Sequence, residues 1–186
     1  MKLPVYAYGC PLLRKISDDI GQDYEGLNEL IDNMFETMKF SEGVGLAAPQ
    51  VGLSIRLFVV DATIYADEEP ELDGFRKVFI NSDIYYYEGD EEIMTEGCLS
   101  IPGIHEDVTR ETVVRIKYQD ENFEEHDEEY RGMAARIIQH EYDHLDGILF
   151  TDKLSPLKKR LIKGKLRDIS RGKTNTVYKM VLPSKK

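Results

Sequence analysis

His140 and His144, four residues apart with Glu141 beside the first, constrain this chain more than any other feature. The pattern over residues 133–145 predicts a helix, with Gly147 placed to stop it. On a helix the two imidazoles stand one above the other and can bite a single ion. Glu141 lies about 100° round from His140 and about 60° from His144, so its carboxylate can reach a water on that ion. Metal-assisted hydrolysis needs this combination, because the metal acidifies the water and the carboxylate takes its proton. The same letters also fit a plain charged helix surface, so the site has to be completed elsewhere.

A catalytic site usually has three protein ligands and one open position. Downstream of His144 the chain has no histidine and no glutamate; Asp152 falls in a loop and Asp168 on a basic helix. The third ligand is therefore sought upstream. Cys98, in EGCLS, is the best candidate because a thiolate is a strong ligand. Gly97, Ser100 and Pro102 around it suggest an irregular strand that turns the side chain inward. The alternative is a buried inert thiol, which is the reading for Cys10. His126, in an acidic run, reads as a solvated residue, and His105, in PGIHED, as a loop residue. Donor type alone points to zinc. A third feature is GVGLAAPQ, residues 43–50. It matches a nucleotide fingerprint only weakly, since Pro49 stands where a helix would have to open. Small residues that let backbone approach a ligand explain it better, with Gln50 as a neutral hydrogen-bond donor. A plain tight turn is the alternative.

The rest of the chain predicts an α+β frame. Residues 24–40 read as a helix with Leu27, Leu30, Ile31, Met34 and Met38 on one face and Asp23 as N-cap. Residues 56–62, 77–80, 85–88 and 112–118 read as strands, and 123–130 is ambiguous. ADEEPELDG, residues 66–74, reads as an exposed acidic loop. Pro156 opens a final helix with an apolar stripe of Leu157, Leu161, Ile162, Leu166 and Ile169, ended by Gly172. Residues 176–182 fit a short last strand. Strands in runs, with few helices, imply α+β: antiparallel and mixed sheets packed around the histidine-bearing helix, with N-terminal and C-terminal helices. The 186 residues fit one domain, 1–186, with a basic helix and tail at about 156–186. Residues 151–186 hold 12 of the 24 Lys/Arg but 2 of the 35 Asp/Glu, so the tail is basic and the body strongly acidic. The body argues against DNA or wide nucleic-acid coating, while the tail leaves local contact with a polyanion open. No apolar run suits a membrane span, the start lacks a secretory h-region, and two isolated cysteines suit a reducing, cytoplasmic setting.

Taken together, GVGLAAPQ, EGCLS and HEYDH, in this order and spacing, resemble peptide deformylase, and the similarity continues through SIPG and FTDKLSPLKK. That resemblance implies removal of the N-terminal formyl group from methionine on nascent polypeptides, with release of formate. It makes Cys98, His140 and His144 the metal ligands, Glu141 the acid/base, and Gln50 with the Leu99 N–H the oxyanion donors. It implies Fe²⁺, with zinc or nickel able to substitute. The substrate backbone is expected as an added strand between Val44–Gly45 and Gly97, with Met133, Ile137 and Val44 forming a methionine pocket. It also implies docking of the basic C-terminal helix on the ribosome; the alternatives are a solvated face that offsets the acidic body and, more weakly, a membrane-surface role. Glu96, two residues before Cys98, is a candidate partner for a ligand histidine, with Arg110 as counter-ion. The competing readings are a zinc endopeptidase of HExxH type and a structural metal module closed by four protein ligands. The acidic stretch 66–74 and the tail after Gly172 have no assigned role.

Overall fold

The computed structural model describes residues 1–184. Its elements in chain order are β1 (Val5–Tyr6), α1 (Leu27–Phe40), β2 (Gly45–Ala47), β3 (Leu57–Asp61), β4 (Arg76–Cys98), β5 (Ile101–Gln119), β6 (Glu125–Arg131), α2 (Gly132–Leu145), α3 (Pro156–Ser170) and β7 (Met180–Val181). Strands β2-β3-β4-β5-β6 form one antiparallel sheet, and β1 and β7 form a separate parallel pair. The fold is α+β, as expected, with parallel pairing in the small sheet and in one isolated bridge, Asp18–Ile55.

The histidine-bearing helix α2 is buried on almost every side from Ala134 to Leu145. Ala134, Ala135, Ile137 and Ile138 pack on Phe58, Phe79, Val114 and Ile116 of the sheet. Phe58 and Phe79 stack at 4.6 Å between ring centroids, which fixes β3 against β4 under the helix. α1 covers another apolar cluster through Ile31, Met34, Phe35 and Met38, against Leu57 and Val59. α3 covers a further one through Ile162, Leu166 and Ile169, against Ile104, Val108 and Phe150.

Several expectations need correction. α1 begins at Leu27, after Gly26 in the left-handed region at φ 75°, and Asp23 makes no cap. The predicted strands 77–80 and 85–88 are pieces of one 23-residue strand, β4, and 112–118 is part of the 19-residue β5. Register shifts between Ile80 and Asp83, Ile84 and Tyr86, Glu88 and Glu91, and Glu96 and Cys98 break the apolar alternation, so only fragments carry a strand signature. Segment 123–130 resolves as the edge strand β6 over Glu125–Arg131, whose charged residues blunt a free edge. On α3 the docking face is Ile162, Leu166 and Ile169. Leu157 and Leu161 are exposed because they lie about 140° and 100° round from Ile162. Residues 176–182 supply only the two-residue β7.

The acidic stretch 66–74 is not simply an exposed loop. It holds a 3-10 turn, Pro70–Leu72, with Leu72 buried, and both Glu69 carboxylate oxygens accept from the Met133 N–H at 3.1 Å. Glu69 therefore supplies an acceptor and a negative charge at the N-terminus of α2, which lacks a side-chain cap of its own. Glu69→Ala is expected to cost about 1 kcal/mol, within the usual ~0.5–2 kcal/mol for a lost helix cap. Urea denaturation, with Glu68→Ala as a control in the same stretch, measures the difference.

Candidate metal centre

Cys98 ends β4 and pairs with Ile101 across a two-residue turn, Leu99–Ser100. The hairpin tip therefore delivers its sulfur to the buried face of α2. Ligand atoms of Cys98, His140 and His144 lie within 4.8 Å of one another, and Cys98 Sγ is 3.3 Å from His144 Nε2. Bonds of ~2.0–2.3 Å keep the ligands of one ion within about 4.6 Å of each other, so one ion spans this cluster with little movement. Among the described residues it is the only such group of three.

Glu96 fixes the first histidine. Its buried carboxylate meets His140 Nδ1 at 2.9 Å, Arg110 Nε at 2.6 Å, Arg110 Nη2 at 2.9 Å and Arg136 Nη1 at 3.0 Å. Burial alone would raise this carboxyl, but the hydrogen bonds from Arg110 and His140 outweigh it and hold it well below the usual carboxylate range. Ionised Glu96 can only accept, so Nδ1 carries the His140 hydrogen and Nε2 is left for the site. Arg110 also donates to Asp143 at 2.7 Å, which ties the middle of the HEYDH turn to β5.

The two histidines differ in proton affinity. Burial pulls His140 down, yet hydrogen bonds with Cys98 and Glu96 and the nearby Glu141 charge push it well above an ordinary histidine. Burial, and then the charge of His140, hold His144 well below the ordinary value, so it is a neutral donor. Burial raises Glu141 to about 7, and its Oε2 is buried without a hydrogen-bond partner. Glu141 lies directly over Gly45, where an added Cβ would meet its Cγ at 2.7 Å. The donor set and the unpartnered carboxylate oxygen together fit a catalytic divalent metal.

Gln50 sits in the 3-10 turn Ala48–Val51 after β2. Its Oε1 accepts from the Ala47 N–H at 2.8 Å, which fixes the amide and turns Nε2 toward Cys98 Sγ and Ser100 Oγ, both at 3.4 Å. A cleft of about 600 Å³ opens over the group, lined on one side by Gly43, Val44 and Gly45 and on another by Gly97, Cys98 and Leu99. Met133 and Ile137 of α2 also line it.

A sequence profile of the polypeptide deformylase family matches residues 2–160. The chain belongs to that family. The peptide deformylase of Christiangramia forsetii is 56% identical over 194 aligned residues, covering 100% of this chain and 98% of that protein. That of Flavobacterium psychrophilum is 52% identical, with both chains fully covered. The crystal structure of the Thermus thermophilus peptide deformylase matches with a TM-score of 0.81 at 38% identity, over 92% of this chain and 99% of that one.

All eleven residues singled out for the deformylase site, namely Cys98, His140, His144, Glu141, Gln50, Leu99, Val44, Gly45, Gly97, Met133 and Ile137, lie in or beside the cleft. His105 does not belong to a loop. It is on β5, and its ring covers Gly97, where a Cβ would meet its Cδ2 at 2.7 Å. His126 is not freely solvated; it is half-buried, 3.0 Å from Asp120, and stacks on Tyr118. Sequence reasoning missed Arg136 and Asp143 as parts of the buried ion network, and Ile64, Tyr65 and residues 175–178 as cleft walls. Arg136 had a signal, since a lone arginine on the apolar face of a helix needs a buried partner.

Glu96→Ala is expected to weaken metal retention by ~10–100-fold, because His140 loses the acceptor that orients it. The same change strands Arg110 and Arg136 and should cost ~3–5 kcal/mol of stability. Metal content after dialysis against a chelator reads the first effect and urea denaturation the second. Unchanged metal retention would remove Glu96 from the site.

Proposed function

We propose that the chain hydrolyses the N-terminal formamide of formylmethionyl nascent polypeptides, with Glu141 as acid/base and Gln50 Nε2 and the Leu99 N–H as oxyanion donors. Cys98, His140 and His144 would hold one divalent metal. The family membership supports the reaction. The observation that carries the residue roles is the unpartnered Glu141 carboxylate beside the Cys98–His140–His144 cluster, opposite a Gln50 amide pinned by Ala47.

When bound, the metal supplies an acidified water and polarises the formyl carbonyl. Glu141, raised to about 7, has the proton affinity to take a proton from the attacking water and return it to the departing amine. The formyl C–N bond breaks, and formate and a free α-amino group result. Gln50 Nε2 and the Leu99 N–H would stabilise charge on the formyl oxygen from fixed positions, Gln50 held through Oε1 by Ala47 and Leu99 through its carbonyl by Tyr178. Val44–Gly45 and Gly97 would take the substrate backbone as an added strand, and Val44, Met133 and Ile137 would receive the methionine side chain. One thiolate and two imidazoles suit iron(II), proposed as the physiological metal, and also zinc or nickel. Family membership removes the zinc endopeptidase alternative.

Glu141→Gln is expected to keep the metal and lose ~10²–10⁴-fold in formate release, since only proton transfer is lost. Gln50→Ala should cost ~10²–10³ in turnover. Formate release from formyl-Met-Ala-Ser, with metal content measured on the same samples, checks both. Full activity in Glu141→Gln would refute the mechanism.

Ribosome contact through α3, and with it a cytoplasmic location, is also proposed. No described helix is long and apolar enough to cross a membrane. Lys158 is engaged by Glu106 at 3.1 Å and Asp107 at 3.7 Å, so it is a poor reporter of any partner. Lys159, Lys163 and Lys165 are exposed. Reversing these three to glutamate is expected to weaken ribosome cosedimentation at low salt while hydrolysis of short formyl peptides persists. Binding to ribosomal RNA phosphates would also fall steeply with added salt. Equal cosedimentation of wild type and variant would return α3 to a purely structural role.

A further inference from the structure

The tail after α3 turns back across the molecule. β7 pairs with β1, where the Val5 N–H donates to Lys179 O at 2.8 Å and the Ala7 N–H to Val181 O at 2.9 Å. Just before that anchor, the Tyr178 hydroxyl donates to the Leu99 carbonyl at 2.9 Å. Thr176 Oγ1 donates to Tyr178 O at 2.8 Å and closes the bend between them. Residues 175–178 are thereby fastened at the hairpin tip that carries Cys98 and Leu99, and all four line the catalytic cleft. Val177 is 77% exposed, an apolar side chain left uncovered at the edge of a peptide-sized groove.

From this we infer that residues 175–178 are a specificity-determining wall of the peptide cleft. Val177 contacts apolar side chains of the substrate beyond its N-terminal methionine, and Tyr178 is the positioning residue that holds the wall to Leu99. The inference rests on the deformylase reading for the identity of the substrate. Its chemistry is simple. An extended peptide rises about 3.3 Å per residue, so a chain whose first residue fills the pocket over α2 carries its second and third residues to the rim. Val177 offers them apolar area that water otherwise covers. The segment is held at two points, by the Tyr178 hydroxyl and by the β1–β7 pairing that follows it, so the wall is ordered before substrate arrives and binding it costs little further ordering.

The test compares two substrates, formyl-Met-amide and formyl-Met-Ala-Leu-Ser, in wild type, Val177→Asp and Tyr178→Phe. The ratio of kcat/KM for the tetrapeptide to that for the amide is expected to fall ~5–20-fold in Val177→Asp, through KM, because a charge replaces the apolar contact. Tyr178→Phe keeps the ring and the β7 anchor but loses the bond to Leu99, and should lower the same ratio by a smaller factor. Fluorescence anisotropy of Met-Ala-Leu-Ser labelled at its C-terminus gives a second reading free of turnover, and Val177→Asp should weaken that binding to the same degree. Equal losses on both substrates, or an unchanged ratio with unchanged anisotropy, would overturn the wall. Absence of formate release by the wild type would count against the deformylase reading, while the anisotropy arm would still decide the role of the tail.

Discussion

The Glu96 carboxylate is the interaction on which the rest of the site depends. It is buried near the end of β4 and receives two arginines and a histidine from β5 and α2. An ion network in this position is costly to assemble, because each charge must leave water, and it persists only when the donors and acceptors match. Here they do. Arg110 bridges Glu96 to Asp143, Arg136 adds the carbonyls of Val108 and Glu92, and Lys153 reaches Asp143 at 3.3 Å. The network locks the long β4–β5 hairpin to the helix behind it. The hairpin tip carries Cys98 and the helix carries both histidines, so the same bonds that join sheet to helix set the spacing of the proposed ligands.

This arrangement explains where small residues are required near the site. Gly45 and Gly97 do not need unusual backbone dihedrals, and neither is among the positive-φ glycines. They are needed because Glu141 and His105 occupy the space a Cβ would take. The Glu141 carboxylate lies close against the β2 backbone, and its Oε2 is buried without a hydrogen-bond partner. The carboxyl is correspondingly raised to about 7, chiefly by burial. A glycine on one strand thus leaves room for a side chain on another element.

Parts of this were legible in the sequence and parts were not, for identifiable reasons. The i, i+4 histidines fix their own geometry, since a helix admits only one relation between them. Glu96 was legible as a partner because a ligand imidazole needs an acceptor and Glu96 stands two residues before Cys98. The 23-residue length of β4 was not, because its bulges interrupt the two-residue period that marks a strand. The docking face of α3 was read too wide: Ile162, Leu166 and Ile169 pack, while Leu157 and Leu161, equally apolar, stay exposed. Glu69 and Tyr178 were invisible because each works across the fold, 64 and 79 residues from its partner, and their sequence neighbours carry no trace of the contact.

Those two long-range contacts show how the least regular segments serve the most regular ones. Glu69 holds the N-terminus of α2 at the end where Met133 enters the cleft, and Tyr178 holds the hairpin tip where the thiol enters it. Neither segment has a core of its own. The 66–74 stretch buries Leu72, and the tail pairs two residues with β1. Each is ordered by bonds to the scaffold, and each in turn fixes a cleft-lining residue that the scaffold leaves at an element end. Helix ends and hairpin tips are where backbone groups lack partners, so outside segments gain most by binding there. The cleft follows from the same rule, because it lies where α2 begins and β4 ends. The proposed Leu99 donor stands at the tip of that hairpin, and Tyr178 holds its carbonyl in place.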